Sequence, residues 1–289
     1  MHPKNPHING YDIPALVTTH PSLEPHTFVN KFGTSTINFS NKECVFELNK
    51  ALLLHHYELE DYSIPENYLC PAIPGRADYL LYINDVLENA YDEKPSQIKG
   101  LDIGVGANCI YPILGTLLFK WHMVGADIDA KAVEAAQQNV ETTEILKQYI
   151  EIRHQKTNAH IFEGIILKDD YYHFTMCNPP FHTSEEEANK IAFQKLKNLN
   201  PEKTISELQR NFSGQSNELW CNGGEALFIK RMIKQSASFK TQVGFFTTLV
   251  SRKEHLNAFY KQLDKLKASH QTIKMTQGQK ISHLLIWSF

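Results

Sequence analysis

No apolar run in this chain of 289 residues approaches the ~20 residues that a bilayer-spanning helix requires. The opening Met1-His2-Pro3-Lys4-Asn5-Pro6-His7 is polar and broken by proline, so neither export nor membrane insertion is indicated and a cytoplasmic protein is expected. Cysteine is scarce. Cys44, Cys70, Cys109, Cys177 and Cys221 are odd in number, widely spaced and without a Cys-x-x-Cys pair. That pattern argues against a disulfide framework or a zinc site and leaves reduced, mostly packed thiols. His2, His7, His20 and His26 crowd the N-terminus, but their spacings fit no common ligand set. They are read as solvated loop histidines, and no metal is expected.

Basic residues are short in the first two thirds of the chain. Residues 1–189 carry 13 Lys and Arg against 26 Asp and Glu, whereas residues 190–289 carry 16 against 6. The positive surplus lies in Lys190, Lys195, Lys197, Lys203 and Arg210 and in the helix-like Lys261, Lys265 and Lys267. A solvated face and a polyanion-binding face both account for it.

With 42% hydrophobic and 21% charged residues the chain is globular rather than disordered, and long enough for one large domain plus an appendage. Residues 1–70 are punctuated by Pro3, Pro6, Pro14, Pro21, Pro25 and Pro65 and support one amphipathic helix, from Cys44 to about His56; they read as an N-terminal accessory segment. Pro71-Ala72-Ile73-Pro74-Gly75-Arg76 reads as a stiff linker, followed by a helix from about Ala77 to Tyr91. From Gly100 short apolar strands alternate with helical segments. The strands fall near 100–105, 123–128, 149–154, 174–177, 242–250, 271–277 and 283–289, and the helices near 109–121, 129–141, 224–239 and 253–268. Such alternation implies a parallel sheet covered on both faces. Gly278 to Ser282 is too short for a helical crossover, so the last two strands should be antiparallel. An α/β, Rossmann-like, doubly wound sheet of seven strands with its last strand antiparallel is the class I methyltransferase arrangement. That domain is expected over 71–289, with a long insertion at about 182–222.

The run Leu101-Asp102-Ile103-Gly104-Val105-Gly106-Ala107-Asn108-Cys109 carries a strand into a glycine turn and then a helix, at the strand edge where open parallel sheets bind cofactors. Cys109 stands where the dinucleotide fingerprint has its third glycine, which disfavours a pyrophosphate cofactor. Asp102 would repel phosphate and suits a positively charged ligand, such as a sulfonium with an amino-acid tail. Asp127 ends the second strand where it can take a ribose hydroxyl pair, while Asp129 caps the next helix. Gln155-Lys156-Thr157-Asn158 is either an adenine-side loop or plain surface. Arg76 is either a helix-start charge or a ligand for a cofactor carboxylate. The strand ending at Cys177 runs into Asn178-Pro179-Pro180-Phe181, which offers a side-chain amide and carbonyls with little competing donation, beside a flat apolar ring. Such a turn holds a planar amine, and a strand stopped by a proline turn looks the same.

Several segments together resemble the bacterial 23S rRNA (adenine-N6) methyltransferase F family of the large ribosomal subunit. They are Pro74 to Tyr79, Gly100 to Pro112, Cys177 to Phe181, Leu219 to Glu225 and Ile286-Trp287-Ser288-Phe289. The resemblance runs from His2 to Phe289 and includes the N-terminal segment. More loosely, the chain is similar to eukaryotic enzymes that methylate adenine in small nuclear and messenger RNA, with which it shares Gln155-Lys156-Thr157. The resemblance implies an S-adenosylmethionine-dependent enzyme that methylates the N6 amino group of one adenine in 23S rRNA, free or in a large-subunit assembly intermediate. It implies that Asp102, Gly104, Gly106 and Asn108 line the cofactor tail, that Arg76 meets its carboxylate, and that Asp127 and Thr157 serve its ribose and adenine. Asn178, Pro179, Pro180 and Phe181 would take the target base, with Asn178 bordering the cofactor. A monomer is expected. The motif alone also suits guanine N2, DNA adenine or a glutamine amide, and the fold alone also suits a non-catalytic RNA-binding assembly factor.

Overall fold

The computed structural model describes residues 1–180 and 220–289 apart from Asn67, Asp92, Lys94 and Gln279, together with Ser184, Glu186, Glu187 and Lys190. Most of the expected 182–222 insertion, with Phe181, Lys195, Lys197, Lys203 and Arg210, lies outside the described residues. The main sheet is built from β3 (Lys99–Ile103), β4 (His122–Asp127), β5 (Ile150–His154), β6 (Tyr172–Cys177), β7 (Val243–Val250), β8 (Ser269–Gln277) and β9 (Lys280–Ser288). Its order is β5-β4-β3-β6-β7-β9-β8. β3 is parallel to β4 and to β6, whereas β9 lies antiparallel between β7 and β8. This is the class I methyltransferase sheet expected above. The chain winds outward from β3 through β4 to β5, then returns to place β6 on the other side of β3. The crevice at that reversal is where open α/β sheets take their ligands.

Helices cover both faces. On one face Ile113 and Leu114 of α4 (Ile110–Phe119) pack with Tyr79 and Leu80 of α3 (Ile73–Ala90). On the other, Ile229, Met232 and Ile233 of α7 (Gly224–Ser236) pack with Phe259 and Leu263 of α8 (Leu256–Lys265) and with Trp287. α5 (Ala130–Val140) starts as expected at Asp129, whose carboxylate accepts the Lys131 N–H at 2.9 Å. The short α6 (Glu144–Tyr149) carries too few apolar positions to be read from sequence; Leu146 is its buried residue.

Four expectations need correction. The stiff linker is no linker: α3 begins at Ile73, with Pro74 in the first turn, where a missing N–H leaves no helical bond unmade. Arg76 is therefore fixed on a helix. β9 begins at Lys280, paired with Gln277, so the final hairpin is tighter than the 278–282 connection suggested. The N-terminal segment holds more than one helix. α1 (Ile13–Thr19), a 3-10 turn at Pro21–His26 and the hairpin of β1 (Thr27–Val29) with β2 (Ser35–Ile37) precede α2 (Lys42–Tyr57). Leu16, Leu23, Ile37 and Leu52 from these elements share one core with Tyr79 and Phe174. Elements this short, delimited by proline, cannot display a helical or strand period. Finally, His2 and His7 are not solvated; they are 3% and 1% exposed. His2 Nε2 lies 2.9 Å from Asp85 Oδ2 and His7 Nε2 lies 2.8 Å from the Tyr57 hydroxyl, and a histidine so bonded can be buried. His20 likewise meets Glu47 at 2.5 Å.

Candidate active site

Asp102 is the last residue but one of β3. After it the chain turns through Gly104 and Gly106, at φ 77° and 63°, a region that glycine enters without steric penalty. The turn is docked on the end of β4: Gly104 and Val105 N–H donate to the Ala126 carbonyl at 2.8 and 3.0 Å, and Gly106 N–H donates to Asp127 Oδ2 at 2.9 Å. Asp127 Oδ1 accepts the Asp129 N–H at 2.9 Å. The Asp127 carboxylate, which the Ile128 N–H also bonds, thus fixes both the glycine turn and the start of α5. Burial raises the Asp127 pKa, opposed by these backbone bonds. Asn108 is also engaged, its Oδ1 accepting the Ile110 N–H at 3.1 Å and its carbonyl the Tyr62 hydroxyl at 2.9 Å.

Asp102 itself is fully buried, and neither carboxylate oxygen has a hydrogen-bond partner. Burial, and then the charge of Asp127, push its pKa up to about 8, opposed by the Arg76 guanidinium. Arg76 Nη1 donates to the Tyr111 hydroxyl at 2.7 Å, and the guanidinium stands 5.2 Å from the Tyr111 ring centroid. Its buried Nε has no acceptor. A carboxylate without donors beside a guanidinium short of an acceptor is an expensive pair to bury, because each lacks bonds that water would supply. A zwitterion would satisfy both, with its ammonium at Asp102 and its carboxylate at Arg76.

The adjacent strand supplies the second half of the site. Ile103 pairs with Cys177, the last residue of β6, so Asn178 begins its turn directly beside the glycine loop. Asn178 Oδ1 is buried and without a partner. Pro179 is buried and Pro180 half-buried, and neither has an N–H to offer that oxygen. Thr157 is exposed. Its N–H donates to Gln155 Oε1 at 3.0 Å, and Gln155 N–H donates to the Asp127 carbonyl at 2.8 Å, so the loop continues outward from Asp127. Arg231 of α7 holds the same loop through the Asn158 and Ala159 carbonyls at 2.8 and 2.9 Å. Arg76, Asp102, Asp127 and Asn178 are thus brought to one edge of the sheet, with Thr157 farther out.

A family model described as RNA methyltransferase matches residues 1–289. The chain belongs to that family. The ribosomal RNA large subunit methyltransferase F of Christiangramia forsetii is 56% identical over 289 residues, covering 100% of both chains. The enzyme of the same name from Flavobacterium psychrophilum is 47% identical over 100% of this chain and 93% of its own. Among solved structures, the hMettl16 catalytic domain in complex with MAT2A 3'UTR hairpin 6 has a TM-score of 0.82 and 26% identity, over 100% of this chain and 97% of that one. The N-terminal domain of human METTL16 in complex with SAH has a TM-score of 0.79 and 26% identity, over 100% and 98%.

For this RNA methyltransferase, the residues that the sequence does not single out are the ones that hold the others. Tyr111 binds Arg76, Tyr62 binds the Asn108 carbonyl, and the Tyr68 hydroxyl donates to Asp129 Oδ2 at 2.8 Å. Tyr79 reaches the Cys177 backbone. In sequence it is one more apolar position of its helix, although its spacing of three from Arg76 places the two on one helical face. Among the described residues no group of three or more His, Cys, Asp or Glu could hold a metal, and no helix is long and apolar enough to cross a membrane.

Proposed function

We propose that the protein transfers a methyl group from S-adenosylmethionine to the N6 amino group of one adenine in 23S rRNA. The observation that carries this reading is the buried, unpartnered Asn178 Oδ1 next to the unpartnered Asp102 carboxylate and Arg76 Nε. Asp102 and Arg76 would hold the cofactor's amino-acid tail, with Gly104, Gly106 and Asn108 against it; Asp127 would take the ribose and Thr157 the adenine end. The cofactor supplies an electrophilic methyl on a sulfonium.

The chain's own task is to make a poor nucleophile attack. The lone pair of an adenine amino nitrogen is delocalised into the ring. Asn178 Oδ1 and the Pro179 carbonyl accept the two amino hydrogens, which favours a pyramidal nitrogen and aims its lone pair. No strong base is needed, since the nitrogen becomes acidic as it is alkylated and water takes the proton. Phe181 stacks on the base, which must be unstacked or single-stranded; such stacking is worth roughly 1–3 kcal/mol.

Names of full-length relatives support the rRNA substrate, and the RNA complex of the hMettl16 domain supports an RNA chain at this fold. In this reading residues 1–70 select the RNA and residues 71–289 carry the chemistry, in a monomer that works in the cytoplasm on 23S rRNA or a large-subunit assembly intermediate. Asn178→Ala tests the site: turnover is abolished while S-adenosylmethionine affinity stays near wild type. Normal turnover by the variant would sink the reading.

A further inference from the structure

β6 and β7 pair from Tyr172 with Val243 as far as Thr175 with Phe246, and their register ends there, short of Asn178. Side-chain hydroxyls take over. The Tyr79 hydroxyl accepts the Cys177 N–H at 3.3 Å and lies 2.8 Å from Thr247 Oγ1. The Thr248 hydroxyl donates to the Cys177 carbonyl at 3.4 Å. The one phenol proton has two acceptors in reach, Thr247 Oγ1 at 2.8 Å and the Cys177 carbonyl at 3.4 Å. The Tyr79 oxygen still has a lone pair for the Cys177 N–H whether Thr247 accepts from it or donates to it. Its ring is fully buried and fixed edge-on against Tyr111, centroids 5.5 Å apart, and Tyr111 in turn binds Arg76.

We propose that Tyr79 is the positioning residue of the methyl-accepting turn, its hydroxyl standing in for the missing rung between β6 and β7 and so fixing where Asn178 aims its oxygen. The proposal rests on Asn178 as acceptor for the adenine amino group. A regular rung would hold the strand flat to its end. The hydroxyl satisfies the Cys177 N–H while letting the chain leave the sheet at Asn178, and it does so from the helical turn that carries Arg76. One turn of α3 thereby places both the residue for the cofactor tail and the clamp on the base-binding turn.

Tyr79→Phe keeps the ring and removes the clamp, leaving the Cys177 N–H without its acceptor. Methyl transfer at saturating RNA and S-adenosylmethionine, counted per cofactor-binding site, is expected to fall about 10- to 100-fold, as for small misplacements of reacting groups. Cofactor affinity and the KM for RNA are expected to stay at their wild-type values. Thr247→Val is expected to lower the rate less, and the double variant to be no slower than Tyr79→Phe, because both substitutions open one clamp. A purely structural role would lower the Tm yet leave the rate per cofactor-binding site unchanged, and that result would overturn the proposal, as would rate losses that multiply. If Tyr79→Phe does not fold, a wild-type rate in Thr247→Val overturns it. Asn178→Ala run in parallel separates the two claims. Full activity there refutes the acceptor itself, whereas an inactive Asn178→Ala beside a fully active Tyr79→Phe refutes only the clamp.

Discussion

Asp102→Asn should make the ligand-free protein more stable at alkaline pH and a poorer binder of its cofactor. In the unfolded chain this carboxyl ionises near 3.8, and in the fold near 8, because burial and Asp127 outweigh Arg76. Between those values the unfolded state has released a proton that the native state keeps, so native stability falls as pH rises and levels off above about 8. By pH 7 the loss is on the order of 4 kcal/mol. Asparagine abolishes that titration but leaves a buried amide without partners, which costs about 1–3 kcal/mol. At pH 8.5 the loss is on the order of 5–6 kcal/mol, so the net gain there is roughly 3–4 kcal/mol, about 6–7 °C in Tm for a chain of this size, and it vanishes near pH 5. Removing the carboxylate also removes a charge-assisted bond to the cofactor's ammonium. Affinity for S-adenosylmethionine should fall about 10- to 100-fold, from a bond worth roughly 1.5–3 kcal/mol. Thermal melts at pH 5 and 8.5 with calorimetric titration of the cofactor read both effects. A Tm difference that does not grow with pH, or unchanged cofactor affinity, would refute the reasoning.

Gly104→Ala adds a carbon with no protein atom within 4 Å but at φ 77°. The melt should drop by only the ~1 kcal/mol of left-handed backbone strain, while cofactor affinity falls at least as far as in Asp102→Asn; the reverse ranking would place the cofactor elsewhere. Burial, then the charge of His56, lower the His7 pKa to about 4 from 6.5, so stability is lost as pH falls through that window. His7→Phe should flatten the dependence of urea midpoints on pH between 4.5 and 7, and an unchanged slope would mean that another group titrates there. Changing Lys195, Lys197 and Lys203 together to Gln should reduce the slope of log affinity for RNA against log salt by up to about 2, at ~0.7 for each phosphate no longer neutralised. Filter binding across a salt series measures it, and an unchanged slope moves the RNA site away from this stretch.

The sheet was legible because its strands are short apolar runs with glycine or acid at their ends, and because the final hairpin is too short for a crossover. The positions of Asp102, Asp127 and Asn178 were legible for a related reason: each stands at or next to the carboxyl end of a short apolar strand. What sequence did not disclose lies in bonds between distant segments. Burial of His2 and His7 depends on Asp85 and Tyr57, which are 83 and 50 residues away. Tyr79 has the look of one more apolar position, yet its hydroxyl is bonded 98 residues along the chain, to Cys177. Pro71 to Arg76 misleads because two prolines and a glycine signal a break, whereas proline in the first turn is compatible with the helix it opens.

The most direct test is transfer itself. Purified protein, unmodified 23S rRNA and S-adenosylmethionine carrying a labelled methyl group are incubated, and the digested nucleosides are identified by mass spectrometry. Label is expected in N6-methyladenosine, close to one per rRNA molecule, and none with Asn178→Ala. Label on guanine, label on protein, or none with the wild type would contradict adenine N6 as the acceptor.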